Sequence, residues 1–186
     1  MAAERTSSHP MDAGFVHEAL MYRDESEFDA AMREFLLAAA AAGEPVLVAL
    51  PGARLERVRR RLANEVPEVR FEDAERLGRN PSRLLPVIEE WVRSHDGPVR
   101  VVSEVVWPGR SYAETVEALR HEALLNHALA DSAVTVLSPF DAEHLDEATL
   151  AGAEMTHPTV LEGGQRRTSA SYRDPLAMPF GELWPL

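Results

Sequence analysis

The residues best suited to chemistry lie where an apolar segment of the chain ends. Glu104 directly follows the apolar segment 99–103, and Trp107 and Arg110 come shortly after it. A carboxylate, a guanidinium group and an aromatic ring near one another can hold a small organic molecule, because the charged groups fix its polar end and the ring covers its apolar part. These three residues therefore predict a ligand pocket.

A second group of polar residues lies on a helical face that is otherwise apolar. Glu122 and Asn126 are one helical turn apart, and Leu125 and Leu129 lie on the same face. A buried carboxylate needs a hydrogen-bond partner. We expect Glu122 to be buried and to bind one of the polar residues of the nearby loops: Arg79, Asn80 or Arg110. Two interpretations stay open, a structural network that ties the loops to the sheet or one wall of the ligand pocket.

The residue patterns that most catalytic and metal sites require are missing from this sequence. There is no cysteine, which excludes disulfides, iron–sulfur clusters and cysteine nucleophiles. His121 and His127 are too far apart in sequence to share a helical face, pointing about 240° apart, so they form no HExxH pair. No Gly-x-Ser-x-Gly motif is present to carry a serine nucleophile. We therefore expect no enzyme activity, no metal site and no cofactor.

The turn after the apolar segment 46–50 is the natural place for a phosphate-binding loop. It begins with Pro51 and Gly52, and no Lys-Ser/Thr pair follows. A nucleotide loop needs several free backbone amides and a lysine, and proline has no amide hydrogen. We expect neither ATP binding nor ATP hydrolysis at this turn.

Charge and hydropathy exclude two further classes of partner. The formal net charge is −12, which repels nucleic-acid backbones. The arginine-rich segment 54–61 is interpreted as an exposed helical face offset by Glu56 and Glu65, with contact to an acidic partner as the alternative. No apolar stretch approaches the roughly 20 residues of a membrane span, and the N-terminal residues lack the apolar core of a signal peptide. The sequence predicts no nucleic acid, no membrane and a cytoplasmic protein.

Three apolar segments provide the framework for these residues. Segments 46–50, 99–103 and 133–137 predict buried strands, and amphipathic helical patterns separate them. Such alternation predicts an α/β fold with a mainly parallel central sheet and helices on both faces. We expect a flexible tail over residues 1–12, the α/β domain over 13–162, and an edge segment with a linker-like tail over 163–186.

Seven short motifs, in chain order, resemble the MEDS family of bacterial sensory domains. They lie in residues 15–27, 43–48, 78–81, 104–110, 121–126, 138–141 and 156–158. The same order is typical of the branch found ahead of anti-sigma-type histidine-kinase-like ATPase domains. The resemblance covers roughly residues 14–172, most of the chain.

The resemblance implies a RecA/KaiC-like α/β fold without a functional phosphate loop. It also implies that the domain senses small organic, hydrocarbon-derived signals and passes its state to a kinase-like or DNA-binding output domain. His17 and Tyr22 match the N-terminal His…Tyr motif of the family. Ser138 and Phe140 depart from it, since the branch usually has cysteine and tyrosine there.

We conclude from the sequence that the chain is a non-catalytic sensory domain. It is expected to bind a small organic ligand and to act on an anti-sigma/kinase-type or transcription-regulator protein. The alternative is a protein–protein interaction module of such a pathway without a small ligand. We predict that one cavity at the carboxyl ends of the strands is lined by His17, Glu104, Trp107 and Arg110. The full set of expected ligand-binding residues is His17, Tyr22, Arg79, Asn80, Glu104, Trp107, Arg110, Glu122 and Asn126.

Overall fold

The computed structural model describes residues 14–62, 68–77 and 80–175. Within these residues seven strands form one sheet in the order β3-β2-β4-β5-β1-β6-β7. The strands are β1 Val16–Tyr22, β2 Val46–Leu50, β3 Val69–Asp73, β4 Val99–Ser103, β5 Val134–Asp141, β6 Thr159–Glu162 and β7 Gln165–Thr168. The helices are α1 Glu25–Ala42, α2 Gly52–Leu62, α3 Leu84–Arg93, α4 Tyr112–Ala128 and α5 Glu147–Thr156, with a 3₁₀ turn at Pro81–Arg83 before α3.

The sheet is parallel apart from its last pair of strands. The three apolar segments predicted as strands form β2, β4 and the first half of β5, and these strands lie in the interior of the sheet. Every residue of β2 is fully buried, as expected for a strand covered on both faces. β6 and β7 pair antiparallel through a turn in which Gly163 and Gly164 both have positive φ. The predicted α/β fold with a mainly parallel sheet is confirmed.

Helix ends follow the capping residues of the sequence. The Asp24 carboxylate accepts hydrogen bonds from the first backbone amides of α1, and Gly43 ends that helix with φ of 69°. Ser111 and Glu114 form a capping box at the start of α4. These capping residues determine where α1 begins and ends and where α4 begins.

Two apolar cores lie on opposite faces of the sheet. Leu20 and Tyr22 of β1 pack with α1 and α2 in one core. Ala19 and Met21 of the same strand pack with α3, α4 and α5 in the other. The alternation follows from the two-residue period of a strand.

The direction of the connections creates two crevices at the carboxyl edge of the sheet. The chain leaves β2 toward α2 on one face, and it leaves the adjacent strand β4 toward α4 on the other face. The neighbours β5 and β1 diverge in the same way, toward α5 and α1. Parallel sheets bind ligands at such points, where the connections separate.

Parts of the predicted domain organisation lie outside the described residues. This holds for the tail over residues 1–12 and for residues 176–186 of the C-terminal segment. The segment from residue 163 contributes β7, which is the edge strand of the sheet. Among the described helices, none has the length and apolar character needed to cross a membrane.

Candidate functional site

A cavity of about 290 Å³ opens at the carboxyl edge, in the crevice between β2 and β4. We call it the carboxyl-edge pocket. Its lining comprises Glu25, Pro51, Ala53, Arg54, Arg57, Glu75, Glu104, Trp107 and Pro108. Two of the predicted ligand-binding residues, Glu104 and Trp107, therefore line one cavity.

Glu104 is the most deeply buried charged residue of this pocket. It follows the last residue of β4, and its backbone amide donates to the Ala49 carbonyl of β2 at 2.9 Å, which holds it beside the neighbouring strand. Its side chain is 0% exposed. Oε1 accepts a hydrogen bond from Nη1 of Arg54, whereas Oε2 is buried without a hydrogen-bond partner among the described residues. Burial raises the pKa of Glu104 to about 7, although the neighbouring Arg54 charge lowers it.

Arg54 is the functional residue that the sequence interpretation missed. It lies in the first turn of α2, and its side chain is only 15% exposed. The guanidinium carbon is 5.1 Å from the centre of the Tyr22 ring and 4.9 Å from that of Phe28. Burial opposes its charge, but the Glu104 carboxylate raises the pKa of Arg54 overall. Its place four residues after the end of a buried strand was the signal available in the sequence, because such positions begin at the carboxyl edge.

Tyr22 packs against Arg54 but is not among the residues that line the pocket. It is the last residue of β1, is 1% exposed, and packs edge-to-face on Phe28 with ring centres 5.2 Å apart. Its hydroxyl group is buried and has no hydrogen-bond partner within the described part of the chain. Burial and the nearby Glu104 charge raise the pKa of Tyr22. The phenol is therefore neutral and able to donate a hydrogen bond.

Trp107 separates the carboxyl-edge pocket from a second cavity of about 300 Å³. The lining of that cavity is Glu75, Trp107, Gly109, Arg110 and Glu114. The Arg110 guanidinium carbon lies 3.6 Å from the centre of the Trp107 ring, so the two side chains stack. Arg110 thus covers the tryptophan from the far side of the pocket.

The prediction that His17 shares this cavity is wrong. His17 is the second residue of β1, five residues before the carboxyl end of the strand at Tyr22. At about 3.3 Å per residue, that places it roughly 17 Å from the edge.

His17 instead belongs to a polar cluster buried between the sheet and helices α4 and α5. We call it the buried histidine cluster, and its members are His17, Glu122, Asn126, Ser138 and His157. His17 and Ser138 lie on the same face of the adjacent strands β1 and β5, and α4 supplies Glu122 and Asn126. His157 is the C-cap residue of α5. All five side chains are buried.

The cluster is closely connected. Nε2 of His17 lies 3.2 Å from Oε2 of Glu122, and Nε2 of His157 lies 3.5 Å from the same oxygen. Ser138 donates its hydroxyl hydrogen to that oxygen at 3.0 Å. Nδ1 of His17 lies 3.1 Å from Oδ1 of Asn126. One nitrogen from each histidine and one oxygen of Glu122 all lie within 4.8 Å of one another, which is a separation suited to metal ligands.

Glu122 is buried as predicted, but the predicted partners are wrong. Its hydrogen-bond and ion-pair partners are His17, Ser138 and His157. Asn80 is exposed and accepts a hydrogen bond from the Ser82 amide, where it caps the 3₁₀ turn. Arg79 lies outside the described residues. Arg110 lies in the loop that follows β4 at the carboxyl edge, whereas Glu122 faces the middle of β1 and β5.

Protonation in the cluster is set by burial and by mutual contacts. Burial by itself would raise the pKa of Glu122, but bonding to His157 and His17 lowers it below its ordinary value. Burial lowers the pKa of His17, and the proximity of His157 lowers it further. His121, on α4, is also buried, and neither of its ring nitrogens has a hydrogen-bond partner among the described residues. The cluster therefore combines an ionised carboxylate with a neutral imidazole at His17.

The arginine-rich helix α2 is paired mainly with acidic residues of α1. Arg57 forms ion pairs with Glu25 and Asp29, and Arg61 pairs with Asp29. The predicted compensation by Glu56 is confirmed for Arg59, at 3.2 Å. Glu65 lies outside the described residues.

A larger cavity of about 320 Å³ lies between α1 and the β6–β7 hairpin and contains none of the predicted site residues. Its two carboxylates are already engaged, Glu27 by the backbone amide of Arg23 and Glu34 by Arg166. Size alone would favour this cavity as the ligand site. The buried polar groups without hydrogen-bond partners among the described residues favour the carboxyl-edge pocket instead.

The chain was also compared with known proteins. The model of the MEDS family, described as the methanogen/methylotroph, DcmR sensory domain, matches residues 16–158. No curated protein matches the chain. The matched segment begins with β1 and includes all five members of the buried histidine cluster.

Proposed function

Because the chain belongs to the MEDS family of sensory domains, we propose that it is a non-catalytic domain that binds a small organic molecule in the carboxyl-edge pocket. The bound state is relayed to a partner regulator of the kinase or transcription-factor type. The observation that carries the proposal is Oε2 of Glu104, a buried polar atom of a pocket-lining residue that has no hydrogen-bond partner in the described residues. A buried polar atom without a partner costs about 1–3 kcal/mol, which a bound ligand removes.

The chemistry of the pocket defines the class of ligand. Glu104 has a pKa of about 7, so near neutral pH it either donates or accepts a hydrogen bond. Trp107 offers a flat apolar wall on the other side of the cavity. The pocket suits a molecule of a few carbon atoms with one hydroxyl, carbonyl or amino group.

The absence of catalysis is part of the proposal. None of the nine lining residues is Ser, Thr, Cys, His or Lys. Glu104, which has the perturbed pKa, is paired with Arg54. A hydrolytic or transfer reaction would need a second titratable group within hydrogen-bond distance of the same substrate atom.

Arg54 provides the route for the relay. It contacts Glu104 and also lies 3.4 Å from the Glu25 carboxylate at the start of α1. A ligand that bonds to Oε2 of Glu104 shares the carboxylate with Arg54, which weakens the ion pair at Oε1 and favours the contact of Arg54 with Glu25. The bound state is thereby transmitted to the outer surface of α1 and α2, where a partner protein can bind.

Native mass spectrometry of the chain purified from its own host tests this function. We expect a small-molecule adduct in the wild type and its loss in Glu104→Gln and Arg54→Met. Glu117→Gln, which changes an exposed carboxylate of α4, is the matched control and should keep the adduct. An adduct of equal abundance in all four proteins, or none in any of them, contradicts binding in this pocket and favours the interaction module.

A further inference from the structure

The ring of His17 is fixed in one tautomer by Asn126. Nδ2 of Asn126 donates to the Glu122 carbonyl at 3.2 Å and to the Thr156 carbonyl at 2.7 Å. Carbonyl oxygens only accept, so the amide orientation is determined and Oδ1 faces His17. Oδ1 is also only an acceptor, and it lies 3.1 Å from Nδ1 of His17. The hydrogen of His17 is therefore on Nδ1, and Nε2 carries a free electron pair in the neutral ring.

The ring of His157 is fixed in the same way by the end of α5. Its Nδ1 lies 2.8 Å from the Ala153 carbonyl and 3.0 Å from Oγ1 of Thr156. The Thr156 hydroxyl donates to the Gly152 carbonyl at 3.1 Å, so its oxygen accepts from His157. Nδ1 of His157 therefore carries a hydrogen, so Nε2 is the ring nitrogen that can bind a metal ion.

Three potential metal ligands therefore converge in one buried site. Nε2 of His17 and Nε2 of His157 both face Oε2 of Glu122, and the Ser138 hydroxyl donates to the same oxygen. Nε2 of His157 and Oε1 of Glu122 have no hydrogen-bond partner in the part of the chain that the structure describes. A buried carboxylate must be paired, and a metal ion bound by both nitrogens and the oxygen pairs it as a protonated histidine otherwise would.

We propose that His17, Glu122 and His157 bind one divalent transition-metal ion of the zinc type. The bonds of Zn²⁺ to nitrogen and oxygen are about 2.0–2.2 Å long, so neighbouring ligand atoms of a tetrahedral site are about 3.3 Å apart. The distances to Oε2 of Glu122 are 3.2 Å from His17 and 3.5 Å from His157. The fourth position lies beside the Ser138 hydroxyl, which is 3.2 Å from Nε2 of His17.

The donor set and its surroundings select the kind of ion. Imidazole nitrogen suits zinc, copper, iron and nickel, whereas magnesium and calcium prefer oxygen ligands. Metal-binding histidines commonly donate their other ring hydrogen to a carbonyl or carboxylate, and both histidines do so here, to Asn126 and to Ala153. This proposal replaces the expectation of no metal site. That expectation was argued from His121 and His127 and did not consider His17 together with His157.

The site goes beyond the sensory function and is separate from the carboxyl-edge pocket. None of its three ligands lines that pocket. Failure of metal binding would leave the adduct experiment unaffected, and failure of the adduct experiment would leave the metal site unaffected.

Titration of the metal-free chain with Co²⁺ tests the proposal through visible absorption. We expect one saturable ion per chain with the intense bands of a tetrahedral site, and Zn²⁺ should displace it. Loss of a second-shell partner typically weakens metal binding about 10–100-fold, so His17→Gln, Glu122→Gln and His157→Gln should each weaken it by about 100-fold or more. His127→Gln and His144→Gln, which change exposed histidines, are the matched controls and should bind like the wild type.

A gain-of-ligand variant keeps the test valid if the replacements do not fold. Ser138→Cys places a thiolate beside the fourth position, and thiolate is a strong zinc and cobalt ligand. We expect a sulfur-to-cobalt charge-transfer band and tighter binding than in the wild type, whereas Ser111→Cys on the exposed cap of α4 should give neither. Absence of saturable Co²⁺ binding in the wild type, together with absence of the band in Ser138→Cys, would overturn the proposal. Equal weakening by the control variants would overturn it as well.

Discussion

Arg54 and Glu104 lie fifty positions apart in the sequence and form an ion pair at the carboxyl edge of the sheet. Arg54 lies in the first turn of α2 on one face of the sheet, and Glu104 follows β4, whose connection turns to the other face. The pair therefore bridges the crevice between the two connections. Oε2 of Glu104 has no hydrogen-bond partner within the described residues, so the pair keeps one buried acceptor for a further molecule.

Glu104 should make the stability of the protein depend on pH. Its pKa is about 7 in the folded chain and 4.5 as the ordinary value, so the folded state holds this proton more tightly than the unfolded state. Its contribution is fully present below about pH 4.5 and is lost as the pH rises through 7. The shift corresponds to about 3 kcal/mol.

Urea unfolding of the wild type and Glu104→Gln, measured at intervals from pH 4.5 to 8, checks this dependence. Gln stays neutral, so the wild type should lose stability relative to the variant across that interval. Curves that run parallel would show that Glu104 keeps an ordinary pKa.

Replacing Arg54 should destabilise the protein more at high pH than at low pH. Arg54→Met leaves the buried Glu104 carboxylate without its cation, and breaking a buried ion pair costs about 3–5 kcal/mol. Below the pKa of Glu104 the carboxyl group is protonated, so the cost should be smaller at pH 5 than at pH 8. Arg59→Met, which removes an exposed ion pair with Glu56, should change the unfolding free energy by less than about 1 kcal/mol.

A double-mutant cycle with Arg54→Met and Glu104→Gln measures their coupling directly. We expect a coupling energy at pH 8 that falls at pH 5. A coupling energy near zero at both pH values would mean that the two side chains do not interact in solution.

Asn126 should be important for stability because it ties three elements together. Asn126→Ala removes the partner of His17 on β1 and of two backbone carbonyls, those of Glu122 and Thr156. Each buried polar group left without a partner costs about 1–3 kcal/mol. His127→Ala, at the next, exposed position of α4, is the control and should have little effect. Chemical unfolding that gives equal stabilities for the two variants would contradict the described network.

Gly43, which ends α1, and Gly97, which lies in the turn before β4, should respond differently to alanine. Gly43 has φ of 69°, and a left-handed backbone costs a residue with a side chain about 1–2 kcal/mol, so Gly43→Ala should lower the melting temperature. Gly97 has no positive φ, and a methyl group there would contact nothing within 4 Å. Gly97→Ala should leave the melting temperature unchanged or raise it slightly. Thermal unfolding of the two variants measures the effect of backbone strain, because an added methyl group meets no neighbouring atom within 4 Å at either position. Equal melting temperatures for the two variants would contradict the strain expected at position 43.

The sequence alone was sufficient to predict the strands and helix ends whose form depends on residues close together in the chain. The apolar segments 46–50 and 99–103 are buried strands, and Asp24 and Ser111 cap the helices that follow them, as aspartate and serine commonly do. These features follow from backbone conformation and side-chain period, which residues a few positions apart decide. The burial of Glu122 was also predictable, because its helical face is otherwise apolar.

Only the tertiary structure decided which polar residues share a site. His17 and His157 are at opposite ends of the matched segment, and they meet because β5 and β6 lie on either side of β1 and α5 returns His157 over its face. Arg54 looked like one member of an exposed basic helix, but the neighbouring β2 and β4 bring it against Glu104. Strand order and register depend on the packing of the whole chain, and a shift of one residue would turn each side chain to the opposite face. The local pattern of the sequence therefore determines the strands and helices, whereas long-range packing determines the partners of their buried charges.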